Sequence, residues 1–337
     1  MYIIFSLSYN IKKTEKNMCT AILTDRYVGR NLDVEKEYGE EIVITPRSFT
    51  LSFRKCDNIA EHHAMIGIGT VVMGYPLYFE AVNERGLYIA GLNYVGNAKY
   101  HSAKEGMINI TPYELIPYLL SKCQNISQVK AELLKINLID IPFSRELPNA
   151  ELHFFIADRS GSIVAEPDEG GLSIYDNPIG VLTNNPSFPI QVHNLYKYAT
   201  LSNEPLSKRT SGKLPLIEYS RGMGAIGLPG DLSSESRFAR AVFHRQYSIK
   251  SDTPCEIFHL LSSVAMPRGS IKFGEEYEHT AYSSAADLER IIYYYKTYDS
   301  AAICTIEPSI DDMTSSTLIR YPIISCNPYK QKNTPPR

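Results

Sequence analysis

Short runs of β-branched and aromatic residues recur along the chain from Thr20 onwards, with turn residues between them. Runs of this length and spacing are typical of strands in large antiparallel sheets. The sequence therefore predicts a strand-rich protein. The predicted strands cover residues 20–23, 27–29, 41–45, 49–53, 65–72, 87–92, 152–157, 162–166, 179–183, 291–295, 301–306 and 317–321.

Helices are fewer, and two of them carry clear start signals. Thr111 and Thr253 are each followed by proline and, three positions after the threonine, by glutamate. Threonine at the N-cap, proline at the first helical position and glutamate at the third form a capping box. Residues 126–134 and 236–247 also have helical periodicity. Because strands and helices come in blocks rather than in strict alternation, we predict an α+β fold and not a doubly wound parallel sheet.

The charge balance and the cysteine content exclude several classes of protein. The 337 residues carry 34 Lys and Arg against 37 Asp and Glu, so no basic excess is available to neutralise nucleic-acid phosphates. No apolar run approaches the roughly 18 residues of a membrane span, and we predict no stable membrane insertion. The cysteines show no C-x-x-C spacing and the histidines no H-E-x-x-H, so we expect neither a disulfide scaffold nor a metal site. A reducing compartment, the cytoplasm, fits this composition.

The first eighteen residues precede the predicted domain as a separate segment. Their apolar stretch is short, lacks a basic region before it and has no small-residue cleavage site after it, which argues against a secretory signal. Two explanations remain: a short pro-segment, or translation that truly begins at Met18. We expect one domain over residues 19–324, because no linker divides them, and a loose tail over residues 325–337.

Cys19 follows directly on Met18, and this position gives it a distinctive chemistry. If methionine is removed from a chain that starts at Met18, Cys19 becomes the first residue and carries a free α-amine. Such an amine has a pKa of roughly 7.7–8.0, so a part of it is neutral at pH 7 and can act as general base for the thiol of the same residue. The alternative is a buried structural cysteine near a chain end.

Two charged residues are predicted to return to Cys19. The segment from Cys19 to Asp33 has the pattern of a strand, a tight turn and a second strand, which would bring Arg30 and Asp33 back beside the cysteine. An arginine near the sulfur stabilises the thiolate, and a carboxylate near the amine holds it in place. A surface salt bridge between the two is the alternative.

Several motifs of this sequence are similar to those of a known family. Cys-Thr-Ala at residue 19 and Gly-Arg-Asn-Leu-Asp at residue 29 resemble the choloylglycine hydrolases, which are N-terminal nucleophile hydrolases and include bile salt hydrolases and penicillin V acylases. The resemblance covers the chain from about residue 19 to 321. It implies a four-layer αββα sandwich, with helices outside two antiparallel sheets. Further matching segments are residues 75–76, 83–87, 90–93, 182–186, 227–231 and 236–238.

The resemblance also implies roles for particular residues. Cys19 matches the nucleophile and base, and Arg30 and Asp33 match the charged pair beside it. Asn184 matches an asparagine whose side-chain amide binds the oxyanion, and Asn93 matches a second residue of that site; a turn is the alternative role for Asn184. The remaining match is Arg237, which supports the network in the family and is otherwise an ordinary charge in the first turn of a helix. The spacing of eleven positions from Cys19 to Arg30 is shorter than in many relatives, but matched shortening of both hairpin arms still lets Arg30 reach the site.

The implied reaction is amide hydrolysis through a thioester, without a cofactor. The implied substrate is a bile salt conjugated to glycine or taurine, because Asn93 matches the bile-salt enzymes where penicillin V acylases tend to carry tyrosine. Penicillin V, N-acyl homoserine lactones and an unprocessed, non-catalytic relative are the alternatives. The family also implies a homotetramer. Candidate residues for the apolar acyl pocket are Leu32, Tyr38, Val71, Ile141 and Phe143, each of which suits a core position equally well.

Overall fold

The computed structural model describes residues 18–206, 209–211 and 213–324. The strands are β1 (Met18–Leu23), β2 (Tyr27–Val34), β3 (Glu41–Thr45), β4 (Met65–Val72), β5 (Tyr75–Asn83), β6 (Tyr88–Asn93), β7 (Ile108–Ile110), β8 (Ile136–Leu138), β9 (Leu152–Asp158), β10 (Gly161–Asp168), β11 (Gly171–Asp176), β12 (Val181–Leu182), β13 (Arg209–Ser211), β14 (Leu214–Leu216), β15 (Ile271–Phe273), β16 (Glu276–Asp287), β17 (Tyr293–Thr297), β18 (Cys304–Ile306) and β19 (Ile319–Pro322). The helices are α1 (Leu115–Lys122), α2 (Ile126–Leu133), α3 (Phe188–Asn194), α4 (Ser234–Tyr247), α5 (Cys255–Ser262) and α6 (Ile310–Thr314). Short 3-10 helices span Pro112–Glu114, Leu195–Tyr198 and Met223–Ala225.

Two antiparallel sheets form the centre of the molecule. In the first sheet the strand order is β12-β1-β2-β16-β17-β18, with β15 paired to β16. The second sheet has the order β11-β10-β9-β6-β5-β4-β3-β19. Every pairing within the two sheets is antiparallel. The hairpin β1–β2 therefore lies inside the first sheet, paired with β12 on one side and β16 on the other.

Helices cover the outer face of each sheet and make four layers. Helices α4 and α5 pack on β1, β2 and β16, whereas α1 and α2 pack on strands of the second sheet. The buried apolar residues form two clusters. We call the one that joins both sheets to α4 and α5 the inner core, and the one between the second sheet and α1 and α2 the outer core. The predicted αββα sandwich is confirmed.

The predicted elements agree with the structure in part. The strands predicted over 41–45 and 65–72 are confirmed with their bounds, whereas β5, β11 and β16 were not predicted. The strand predicted over 49–53 is wrong, because only Leu51 pairs there, as an isolated bridge to Ile59. The capping box at Thr111 is confirmed. The capping box predicted at Thr253 is wrong: α5 begins one residue later, with Pro254 as its N-cap, and no capping side chain bonds there.

Among the described residues, four cysteines carry free thiols and one takes part in a disulfide. Cys19, Cys56, Cys123 and Cys255 are free, while Cys304 is disulfide-bonded. The sparse cysteine spacing does not predict that bond. The expected loose tail at 325–337 and residues 1–17 of the expected extension over 1–18 lie outside the described residues. Among the helices of the described residues, none is both long and apolar enough to cross a bilayer.

Candidate active site

The β1–β2 hairpin places Arg30 on the same face as Cys19. The pairing sets Cys19 opposite Leu32 and Ala21 opposite Arg30, so these four side chains share one face of the sheet. Arg30 Nη2 donates a hydrogen bond to Cys19 Sγ at 2.6 Å. Both residues are almost completely buried. The predicted hairpin is confirmed, and the short spacing between the two residues still lets the guanidinium reach the sulfur.

The second sheet holds Arg30 in this position. Arg30 Nη1 donates to the carbonyl oxygens of Phe79 and Gly91, at 3.0 and 2.9 Å, and contacts Glu80 Oε2 at 3.3 Å. Glu80 is itself fully buried and accepts hydrogen bonds from the hydroxyls of Tyr282, Ser284 and Tyr293. The thiol therefore faces a guanidinium whose charge is balanced by a buried carboxylate behind it.

The opposite face of the hairpin contacts helix α4. Arg237 Nη1 donates to the carbonyl of Cys19 at 2.7 Å and to Thr20 Oγ1 at 2.6 Å. Its Nη2 donates to Asn184 Oδ1 at 2.8 Å. Asp33 lies on this face too, with Oδ2 3.9 Å from Arg237 Nη1. Alternation of side chains along the strands thus divides the charged residues between the two faces of one hairpin.

Asn184 and Asn93 meet beside the cysteine. Asn184 Oδ1 accepts the backbone N–H of Cys19 at 2.8 Å, and Asn184 Nδ2 donates to the carbonyl of Asn93 at 2.9 Å. The backbone N–H of Asn93 donates to the Cys19 thiol. Asn93 was predicted as a second residue of the oxyanion site, and the group that contacts the sulfur is its backbone amide.

When Met18 precedes Cys19, the Cys19 thiol is protonated at neutral pH. Burial raises its pKa, and the nearby Arg30 only partly opposes that effect. Its nitrogen is a peptide amide here because Met18 precedes it, and an amide cannot accept a proton from the thiol. Burial likewise raises the pKa of Asp33 to about 6, against the opposing charge of Arg237. Activation of this thiol requires a base that the continuous chain does not supply at Cys19.

Sequence reasoning missed two carboxyl groups near the hairpin. Glu80 interrupts an otherwise apolar run between Leu77 and Val82, which is a signal that could have drawn attention to it. Glu278 accepts the backbone N–H of Met18. Burial raises the pKa of Glu278 to about 8, with the negative charge of Asp33 adding to the effect. Glu278 lies on β16, which was not predicted as a strand, so the sequence carried no sign that it would lie beside β1.

The five predicted pocket residues lie in different surroundings. Leu32 is directly opposite Cys19 in the hairpin. Tyr38 packs edge-on against Phe79, with the ring centroids 6.4 Å apart, and Phe79 is the residue whose carbonyl binds Arg30. The other three are farther along the chain. Val71 packs against the outer core, and Phe143 contacts the rings of Tyr75 and Tyr113. The backbone N–H of Ile141 donates to the carbonyl of Ile139.

The architecture and the cysteine-centred site together define an N-terminal nucleophile hydrolase fold. Two antiparallel sheets lie between helices, and a buried cysteine at the start of β1 receives hydrogen bonds from both sheets. The chain belongs to the linear amide C–N hydrolases of the choloylglycine hydrolase family, whose match runs over residues 19–321. It is therefore an amide hydrolase. No cluster of three or more metal-binding side chains occurs in the part of the chain that the structure describes.

Two relatives match this chain over about nine tenths of its length. The bile salt hydrolase/transferase of Lactiplantibacillus plantarum is 46% identical over 316 residues, which cover 91% of this chain and 98% of that protein. The bile salt hydrolase/transferase of Clostridium perfringens is 36% identical over 322 residues, 90% and 96% of the two chains.

Two solved structures share the fold of this chain. A cysteine-to-alanine mutant of conjugated bile acid hydrolase from Clostridium perfringens superposes with a TM-score of 0.87 at 34% identity and covers 94% of this chain and 100% of that one. Penicillin V acylase from Agrobacterium tumefaciens gives a TM-score of 0.71 at 18% identity, over 90% of this chain and 91% of the other. The second likeness concerns the fold alone.

Proposed function

We propose that this protein hydrolyses the amide bond of glycine- or taurine-conjugated bile salts and releases the free bile acid and the amino acid. The 46% identity to a bile salt hydrolase/transferase over 98% of that protein supports the substrate class. The observation that carries the chemistry is the convergence on the Cys19 sulfur of a guanidinium from Arg30 and a backbone N–H from Asn93.

The active form in this proposal begins at Cys19, without residues 1–18. The family match starts at this residue, which supports the proposal. Removal of Met18 converts the peptide nitrogen of Cys19 into an α-amine, whose ordinary pKa of roughly 7.7–8.0 suits a general base near neutral pH. Asp33 Oδ2, which has no hydrogen-bond partner among the described residues, is the proposed acceptor for this amine. Residues 19–324 then form a single catalytic domain.

The proposed mechanism has two chemical stages. The α-amine takes the thiol proton, and Cys19 Sγ attacks the amide carbonyl while the Asn93 backbone N–H and the Asn184 side-chain amide bind the oxyanion. The ammonium returns its proton to the leaving glycine or taurine nitrogen, and a thioester remains. Water, deprotonated by the same amine, then hydrolyses the thioester. Arg30 stabilises the thiolate, and Arg237 holds the hairpin and Asn184 in register.

The acyl group requires an apolar pocket near the sulfur. Leu32 and Tyr38 are proposed for it because one is paired with Cys19 and the other packs on Phe79 next to Arg30. Val71, Ile141 and Phe143 remain proposed lining residues on the strength of the family resemblance. The test is substitution of each residue, with KM for glycocholate and for glycine-conjugated short acyl chains as the readout.

A second candidate activity is acyl transfer. Both relatives named above are called bile salt hydrolase/transferase. The proposed thioester can be attacked by the nitrogen of another amine instead of water, which forms a new amide and regenerates the thiol. Incubation of the protein with cholate conjugates and an excess of a second amino acid tests this, with the mixed conjugate detected by mass spectrometry.

The function is tested by glycine released from glycocholate, measured with ninhydrin. Penicillin V and an N-acyl homoserine lactone are assayed in parallel as alternative substrates. The proposal predicts the highest kcat/KM for the bile salt and none for a Cys19→Ala variant that folds normally. No turnover by a protein whose first residue is Cys19 would instead favour a non-catalytic relative.

We further propose a homotetramer in the cytoplasm, as the family resemblance and the composition imply. Exposed apolar side chains on β14 and its neighbours, among them Leu214, Ile217 and Tyr219, support burial of this region between subunits. Light scattering of the purified protein tests the oligomeric state. Cell fractionation tests the location. The disulfide at Cys304 is the one observation here that favours an oxidising compartment instead.

A further inference from the structure

His153 is a fully buried histidine that the proposed mechanism does not use. It lies on β9, opposite Leu92 of β6. Its Nε2 lies 2.8 Å from the carbonyl oxygen of Thr183, and its Nδ1 lies 3.1 Å from Glu166 Oε1. Its ring stacks on Tyr94, with the centroids 4.6 Å apart and the planes 3° from parallel. Both ring nitrogens and one face of this imidazole therefore have a specific partner.

Two of these partners are the chain neighbours of the proposed oxyanion groups. Tyr94 directly follows Asn93, and Thr183 directly precedes Asn184. His153 belongs to the second sheet, whereas Thr183 comes directly after β12 of the first sheet. The ring thus connects the two sheets at the place where their two oxyanion donors meet. We propose that His153 is a positioning residue that sets the separation of these donors, an inference that rests on the proposed function.

The hydrogen-bond chemistry fixes where protons must lie. A carbonyl oxygen only accepts, so His153 Nε2 carries a hydrogen and donates it to Thr183. The other ring nitrogen, Nδ1, lies within hydrogen-bond distance of Glu166 Oε1. Glu166 Oε1 also accepts the backbone N–H of Phe188 at 2.9 Å, at the first residue of α3. The pair therefore anchors the chain on both sides of Asn184, at Thr183 and at Phe188.

Small displacements of these donors affect catalysis more than binding. An oxyanion donor contributes only when it lies about 2.7–3.1 Å from the place where negative charge develops, and loss of one donor lowers kcat by about 10²–10³. A residue that fixes donor separation should therefore change kcat and leave KM almost unaltered. Alkylation of the thiol by iodoacetamide passes through no oxyanion, so it should not depend on His153.

Two substitutions separate the two hydrogen bonds of the ring. A glutamine amide nitrogen occupies the place of Nε2, whereas an asparagine nitrogen occupies that of Nδ1. We expect His153→Asn, which loses the bond to Thr183, to lower kcat for glycocholate by about ten- to a hundredfold. His153→Gln, which keeps that bond, should stay within about threefold of the unmodified enzyme. In both variants KM and the rate of Cys19 alkylation should change by less than about twofold, since neither depends on the oxyanion.

His62 offers a matched control. Its two ring nitrogens also lie next to carbonyl oxygens, those of His63 and Phe49, at 2.8 and 2.7 Å. His62→Gln should leave kcat unchanged. If His153→Asn does not fold, Glu166→Ala, which removes the oxygen shared by His153 and Phe188, is measured with the same readouts and is expected to lower kcat alone.

The outcomes separate this inference from the function on which it rests. An unmodified protein that begins at Cys19 and fails to release glycine would overturn the proposed function, and the role of His153 with it. An active protein whose His153→Asn variant keeps full kcat, or loses kcat and alkylation rate together, would overturn the positioning role alone.

Discussion

Buried polar side chains bind different kinds of partner in the outer core and in the inner core. On the outer side, Asn83 Nδ2 donates to the carbonyls of Leu120 and Cys123, each at 2.8 Å, at the end of α1. Glu114 accepts the backbone N–H of Thr111 at the start of the preceding 3-10 helix. These groups satisfy backbone atoms that a helix terminus leaves unpaired, so their role is to hold secondary structure.

In the inner core, polar groups from three parts of the chain converge on one residue. Arg30 donates to the Cys19 sulfur, Arg237 donates to the Cys19 carbonyl, and Asn184 accepts the Cys19 backbone N–H. The buried ion pair between Arg30 and Glu80 behind the sulfur adds little net stability, because removing the two charges from water offsets their attraction. The contrast teaches that buried polar groups paired with helix ends support the fold, whereas buried polar groups gathered around one reactive residue mark the site. Substitutions in the two cores should therefore separate loss of activity from loss of stability.

The largest expected effect is the loss of activity in Cys19→Ala. Removing the nucleophile should lower kcat for glycocholate by at least about 10⁴-fold, because the groups around it act as a unit. The midpoint of thermal unfolding should fall little, since the change deletes one buried sulfur. Cys123→Ala is the control: it removes a buried free thiol of the outer core and should leave kcat unchanged. Equal activity loss in both variants would contradict the contrast.

The next effect is a loss of stability without a loss of activity, from Leu119→Ala in the outer core. Leu119 is fully buried on α1, and such a truncation lowers the free energy of unfolding by about 2–5 kcal/mol. Urea denaturation measures this. The kcat/KM of the remaining folded protein should stay within about twofold, because Leu119 belongs to the outer core whereas Cys19 lies in the inner core. A parallel fall in kcat/KM would show that the two cores are coupled.

The third prediction concerns the oxyanion donor. Asn184→Ala removes the proposed side-chain donor and should raise the activation barrier by about 2.7–4 kcal/mol. The measurement is steady-state kinetics, with kcat falling and KM nearly constant. Asn83→Ala is the comparison, since it deletes a buried asparagine that bonds only to backbone in the outer core and should affect stability alone. An Asn184→Ala variant with unaltered kcat would remove this residue from the mechanism.

The smallest expected effect is on the pH dependence of stability. Burial raises the pKa of Glu278 to about 8, well above the 4.5 of a free carboxyl group. The stability gained by keeping it protonated is complete below pH 4.5 and is lost as pH rises towards 8. Glu278→Gln should therefore match the unmodified protein at pH 4.5 and be more stable at pH 9, by about 1–3 kcal/mol after solvent screening. Equal stability of the two proteins at pH 9 would contradict the raised pKa.

The part of the site that follows from the sequence is the part that is local in the chain. Cys19, Arg30 and Asp33 fall within one hairpin, whose strand and turn pattern predicts their proximity. Glu80, His153 and Glu278 come from other strands, and only the sheet order places them around the hairpin.

The missed strands have a related physical cause. β16 begins with Glu276, Tyr277, Glu278 and His279, a polar stretch without the apolar alternation of a strand. It is stabilised by pairing with β2 and β17 rather than by its own propensity. The strand predicted over residues 49–53 shows the reverse, because its composition favours a strand but only one residue finds a partner.

The most direct test compares two preparations of the same chain. In one, a protease releases the protein from a fusion so that Cys19 is the first residue; in the other, Met18 remains in front of it, and intact mass confirms each form. The account predicts glycine release from glycocholate by the first preparation and at least about 10³-fold slower release by the second, because a peptide nitrogen cannot act as the base. Equal rates would contradict the claim that the amine and the thiol of Cys19 act together.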